Sequence, residues 1–331
     1  MALKTKTLKT ALLSAAAALL AGWTAASAQT LVLYTSQPDK DAAETTAAFS
    51  RRNPGVKVEI FRSGTTEIMN KLMAEIAAGD PKPDVLLVAD SISLELLKKE
   101  NRLLAHPGAD VANLPAEAYD RDRTYFGTKL ITSGIVYNTG AKERPTSWKD
   151  LADAKYRGQI VMPSPLYSGA AAITVSTFAA RPDFGWSYIE ALMKGNQATA
   201  VRGNGAVLRS VASGEKAYGI LVDFMALNAK QKGSPVEFVI PAEGLTAVTE
   251  PVAILRTARN QAAARAFVDF LLSEEGQKLA VGQGYLPAHR KVAPPAGYPS
   301  VDSLRIMPMD MAGLLATIEA DKKRFADSFG Q

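Results

Sequence analysis

Two short stretches set small hydroxyl-bearing residues and glycines where a strand hands the chain to a helix. The run Val161-Met162-Pro163-Ser164-Pro165-Leu166-Tyr167 delivers Ser168-Gly169-Ala170 to the head of an alanine-rich segment that ends before Pro182. Phe61-Arg62-Ser63-Gly64-Thr65-Thr66 repeats the device ahead of Ile68, Leu72 and Ile76. A helix N-terminus offers unpaired backbone N–H groups and the positive end of the helix dipole, so a small residue there makes a prepared anion site. One copy alone reads first as an ordinary serine cap. Two copies point to a shared anion.

The elements that must carry these stretches follow from periodicity. Thr30 to Tyr34 is an apolar strand stopping in Thr35-Ser36-Gln37-Pro38, and the helix after it closes at Asn53-Pro54-Gly55. Val56 to Phe61 is the next strand, Thr66 to Ala78 the next helix, and Asp84 to Asp90 a buried strand with a helix from Ser91. The order β-α-β-α-β-α predicts an open, mostly parallel sheet, in which ligands sit outside the carboxyl ends of the strands. That rule selects Tyr34 to Gln37, Ser63 to Thr65, and Asp90-Ser91. A second α/β segment begins after a strand from Lys129 to Asn138. It holds strands at Gln159 to Met162 and Ala217 to Val222, the latter ending at Asp223-Phe224, and a return strand from Glu250 to Leu255. Amphipathic helices are expected around Ala262 to Ala280 and Met311 to Phe325.

Composition narrows the class. Lys4, Lys6 and Lys9, the apolar run Ala11 to Leu20 and Ala26-Ser27-Ala28 make residues 1–28 an expected export signal peptide, too short for a membrane anchor. Without those three lysines, 35 basic residues face 33 acidic ones, a balance of +2, and no basic run suggests nucleic acid. The absence of cysteine suits an exported chain large enough to hold its core without disulfides. No G-x-S-x-G, H-E-x-x-H or P-loop is present, and His106 and His289 stand in no catalytic pattern, which argues against the competing reading of a secreted phosphoester hydrolase.

The Leu-Val-Leu-Tyr-Thr start, Asp84-Val-Leu-Leu-Val, Gly134-Ile-Val-Tyr-Asn, the Pro163-Ser-Pro-Leu-Tyr-Ser-Gly loop, Val211-Ala-Ser-Gly-Glu and Gly284-Tyr-Leu-Pro are similar to the periplasmic solute-binding proteins of bacterial ABC importers. The branch resembled holds ferric-ion, hexose-phosphate and 2-aminoethylphosphonate binders. The resemblance implies an α/β, two-lobed type II binding-protein fold, each lobe a mixed, mostly parallel sheet flanked by helices. Lobe 1 is expected at 30–137 plus 246–331 and lobe 2 at 138–245, with crossings near Gly134 to Tyr137 and Ala247 to Pro251. It further implies a soluble periplasmic monomer that takes no cofactor and serves an inner-membrane ABC permease. Ferric members need adjacent tyrosines after the strand that here ends at Val222, and often a histidine where this chain has Gln37; Asp223-Phe224 departs from that pattern.

An anion of phosphate type is what two facing helix N-termini would hold. Each dipole supplies about 0.3 to 2 kcal/mol, against the roughly 8 kcal/mol of a micromolar site, so directed hydrogen bonds must supply the rest. The hydroxyls of Ser36, Ser63, Thr65 and Ser168 and the amides of Gly64, Gly169 and Ala170 are the expected donors. Asp223 and Glu250 are expected at the far end, facing an amine or hydroxyls, with Tyr34, Tyr167 and Phe224 as walls. The zwitterion 2-aminoethylphosphonate satisfies both ends; a sugar phosphate does so through its hydroxyls. The alternative for the two acids is that Asp223 caps a helix and Glu250 pairs with a surface arginine.

Overall fold

The computed structural model describes residues 29–330; the expected signal peptide at 1–28 lies outside them. The first half follows the alternation read from the sequence: β1 (Gln29–Thr35), α1 (Asp39–Arg52), β2 (Val56–Arg62), α2 (Thr65–Ala77), β3 (Val85–Leu87), α3 (Ser91–Lys99). β1 pairs in parallel with both β2 and β3. After β4 (Leu103–Leu104) comes the long β5 (Tyr125–Asn138), which carries the chain into the second half. There follow β6 (Ile160–Pro163), α4 (Gly169–Ala180), α5 (Gly185–Glu190), β7 (Thr199–Val201), α6 (Gly203–Ala212), β8 (Tyr218–Val222), α7 (Asp223–Gln231) and β9 (Val236–Val239). The chain returns through β10 (Thr246–Leu255) to α8 (Gln261–Leu272), α9 (Glu274–Gly282), β11 (Leu286–Pro287) and α10 (Met311–Phe329).

The strands run in the order β2-β1-β3-β10-β5-β8-β6-β7. The pairs β1/β2, β1/β3, β6/β7 and β6/β8 are parallel, which needs crossover connections of the helical kind, whereas β5 and β10 are antiparallel to one another and to their neighbours β8 and β3. β5 pairs with β10 from Tyr125 to Ser133, with β8 from Ser133 to Tyr137 and with β9 from Ile135 to Asn138. The register of β10 against β5 is broken between Thr249 and Pro251, where proline has no N–H to give the ladder.

Side chains alternate across the first half of the sheet. Leu33, Val85 and Leu87 pack with Phe49 and Phe267 on one face, and Tyr34, Leu86 and Val88 pack with Ile68, Leu72 and Leu94 on the other. The second half is centred on Trp148, Phe178, Tyr188 and Tyr218.

Two segments depart from the sequence reading. The helix expected over Ala262 to Ala280 is broken at Ser273, whose hydroxyl caps α9 by accepting from the Gly276 amide at 3.2 Å. The final helix α10, expected with lobe 1, inserts Phe325 among the aromatic residues around Trp148 and sets Arg324 over the Trp186 ring at 4.4 Å. Its Leu314 and Ile318 pack in a core that contains both Ile92 of α3 and Ile173 of α4.

Candidate functional site

A cleft of about 320 Å³ opens where helices from the two halves begin. It is lined by Gly64 and Thr65 at the start of α2, Ser168 to Ala170 at the start of α4, and Gly203 to Ala206 at the start of α6. Ser168 caps α4 through the Ala171 amide, whereas α2 and α6 begin without a side-chain cap. Uncapped first turns leave backbone donors free for an anion.

Three guanidinium groups stand around these termini: Arg62, Arg202 and Arg209 all line the cleft. Arg62 donates from Nε to the Gln37 carbonyl at 2.7 Å and from Nη1 to the Tyr167 hydroxyl at 3.1 Å. Arg202 pairs with Glu67 at 2.9 Å and lies 4.8 Å over the Tyr167 ring. Arg209 makes no ion pair among the described residues, and one of its terminal nitrogens lies beside Gly205 in the first turn of α6. None of the three arginines was among the expected ligand residues. A usable signal existed for two of them, since Arg62 ends β2 two residues before Gly64 and Arg202 stands between β7 and Gly203, each glycine opening a helix.

Of the expected residues, Ser36, Gly64, Thr65, Ser168, Gly169, Ala170 and Glu250 line the cleft, with Tyr167 and Phe224 as walls. Ser36 Oγ accepts from the Ala89 amide at 3.0 Å. Four do not line it. Tyr34 is packed behind the sheet, where its ring meets Phe61 at 4.8 Å and its hydroxyl donates to Glu75 at 2.7 Å. Gln37 is buried below the rim, and the Ser63 hydroxyl is taken by Glu67. Asp223 is the consequential correction. Its carboxylate turns into the protein, accepting from the Thr132 hydroxyl at 2.7 Å and from the Phe224 amide at 2.7 Å. Helix α7 starts at Asp223, so the strand alternation that would have aimed it at the cleft ends one residue earlier. Burial without a cation pushes its pKa up to about 6.

At the floor, Glu250 meets no surface arginine but the ammonium of Lys129, 2.6 Å away, and both are buried. Burial pushes the Glu250 carboxyl up, and Lys129 opposes the shift. Tyr285 lines the floor beside them, 4.1 Å from the Phe224 ring, and gives its hydroxyl to Asp41 at 2.7 Å. Lys129 and Tyr285 were not expected here, although a lone lysine within the apolar run of β5 is a signal of a buried partner.

Tyr167 ties the halves together across the rim. Its carbonyl accepts from the Thr66 amide at 3.2 Å, and the neighbouring Pro165 carbonyl accepts from the Thr66 hydroxyl at 3.1 Å. The glycines belong to this closure. A Cβ on Gly64 would overlap the Tyr167 carbonyl and ring, and one on Gly169 would lie 2.6 Å from the Ala89 carbonyl oxygen and 2.9 Å from Thr65 Cβ.

A family model described as bacterial extracellular solute-binding protein matches residues 80–307. The chain belongs to this family. This solute-binding protein is 30% identical over 273 residues to an uncharacterized protein of Haemophilus influenzae, covering 77% of this chain and 76% of that one. Its fold is similar to that of the periplasmic binding protein AfuA of Actinobacillus pleuropneumoniae, solved with exogenous fructose-6-phosphate bound, at TM-score 0.83 and 24% identity over 91% of this chain and 98% of that one. It is also similar to iron-bound HitA of Pseudomonas aeruginosa, at TM-score 0.78 and 21% identity over 89% and 99% of the two chains. By its family the protein is thus a binder of a small extracellular solute and not an enzyme. Among the described residues no helix is long and apolar enough to cross a membrane.

Proposed function

We propose that this protein captures a phosphorylated small solute with a hydroxyl-bearing tail, of the hexose-phosphate class, and presents it as a monomer in the periplasm to its permease. The observation that carries this reading is the meeting of Arg62, Arg202 and Arg209 with the starts of α2, α4 and α6 in one cleft. Planar guanidiniums and free backbone amides suit the several oxygens of a phosphoryl group. The opposite end, with Glu250 and the faces of Phe224 and Tyr285, suits the hydroxyls and apolar faces of a sugar. A ferric ion would need anionic oxygens where this cleft gathers guanidiniums.

The zwitterion 2-aminoethylphosphonate is the second reading, favoured by the carboxylates of Asp39 and Glu250 in the lining. It has lost Asp223, one of the two acids expected for its amine, and Glu250 is already paired. A thermal-shift series with glucose 6-phosphate, 2-aminoethylphosphonate, inorganic phosphate and ferric citrate tests the choice. A ligand at about a thousand times its Kd adds roughly 4 kcal/mol. The largest shift is expected from glucose 6-phosphate; a shift with ferric citrate alone would overturn the reading.

A further inference from the structure

Lys129 on β5 and Glu250 on β10 join the two crossing strands beneath the cleft, with side chains 4 % and 2 % exposed. Glu250 lines the cleft, while Lys129 lies behind the lining, its ammonium 4.0 Å from the centre of the Tyr285 ring. Asp41, which accepts the Tyr285 hydroxyl, and the inward-turned Asp223 are the other acids near them. The ammonium thus falls directly on the one acid of this group that reaches the ligand space. In so buried a place a unit charge is weakly screened, and its sign governs what can lie beside it.

We propose that Lys129, without touching the ligand, sets the chemical class of the ligand's far end: by cancelling the charge of Glu250 it makes the floor accept hydroxyls and reject an ammonium group. This rests on the organophosphorus reading above. A ligand hydroxyl can donate to Glu250 with no change of charge, because Lys129 occupies one carboxylate oxygen and leaves the other. A ligand ammonium would instead bring a second cation to a carboxylate already neutralised. Lys129 is therefore a positioning and specificity residue, acting through Glu250.

The test is the ratio of affinities for glucose 6-phosphate and 2-aminoethylphosphonate, measured by calorimetry near neutral pH for the wild type, Lys129→Met, Lys129→Arg and Glu250→Gln. Lys129→Met is expected to move the ratio about tenfold or more toward the aminophosphonate, and Glu250→Gln to move it the other way, by about threefold or more. Lys129→Arg keeps the charge and is expected to leave the ratio within about twofold. If Lys129→Met does not fold, the shift of Glu250→Gln against the unmoved ratio of Lys129→Arg decides. A purely structural role would weaken both ligands equally, and an unmoved ratio in folded Lys129→Met or Glu250→Gln would overturn the inference alone. Wild-type protein that binds neither compound would overturn the organophosphorus reading, and the inference with it.

Discussion

Nη1 of Arg62 lies 3.1 Å from the hydroxyl of Tyr167, a bond between the first half of the chain and the second across the mouth of the cleft. The same tyrosine receives the Thr66 amide on its carbonyl and Arg202 over its ring. The residues that face the ligand also join the halves, so on the expected hinge, closure and binding are parts of one equilibrium.

Gly64→Ala follows from that coupling. The expected hinge parts the halves without ligand, so the added methyl group would meet the Tyr167 carbonyl in the arrangement seen here. Overpacking of this kind costs about 1 to 3 kcal/mol, so ligand affinity should fall by about five- to a hundredfold. The ligand-free melting temperature should stay near that of the wild type. Small-angle scattering with ligand checks the cause, since the variant should stay more extended. Unchanged affinity would remove Gly64 from the closing contact.

Arg209→Ala isolates the anion site. Arg209 is exposed and makes no ion pair among the described residues, so its loss should change ligand-free stability by less than about 0.5 kcal/mol. A hydrogen bond to a charged group is worth about 1.5 to 3 kcal/mol, which predicts a ten- to hundredfold weaker Kd for a phosphorylated ligand by titration calorimetry. Equal binding by the variant would place the phosphoryl group elsewhere.

Tyr34→Phe tests the opposite assignment. The Tyr34 hydroxyl serves Glu75 behind the sheet and does not line the cleft. The variant should lose about 1 to 3 kcal/mol in denaturant unfolding with no change in ligand affinity. A large loss of affinity would return Tyr34 to the site.

Asp223 gives a pH dependence of definite sign. Its folded pKa of about 6 lies above the ordinary 3.8, so between these values the folded chain keeps a proton that the unfolded chain releases. The stability this group contributes is therefore highest below about pH 4 and falls as pH rises to 6, by roughly 2 to 3 kcal/mol. Asp223→Asn removes the charge and retains a partner for Thr132. It should melt several degrees above the wild type at pH 7.5 and close to it at pH 4. Parallel melting curves across that range would show the carboxylate to be compensated.

The strand–helix alternation and the Ser-Gly turns were legible because they are local: apolar runs, proline and glycine stops, and hydroxyls ahead of helices carry their own geometry. The same locality misled at Asp223, where the start of α7 one residue after Val222 turned the carboxylate inward. Arg62 and Arg202 carried a local signal in the strand end and glycine beside them, whereas Arg209 was illegible among 38 basic residues because only the meeting of three helix starts distinguishes it. The Lys129–Glu250 pair depends on the mutual register of two strands far apart in the chain, which no pattern along either strand specifies. The break at Ser273 was overridden by a helical periodicity that runs through it, although Ser273-Glu274-Glu275 carries the capping signal.

On the proposed function, the arginines and helix starts hold a phosphoryl group. The most direct test is a pair of calorimetric titrations, glucose 6-phosphate against glucose, on the chain from Gln29. Saturable binding of the phosphate ester at micromolar Kd or tighter, with at least about a thousandfold weaker binding of glucose, is the predicted result. Equal affinity for the two sugars, or binding of neither, would contradict it.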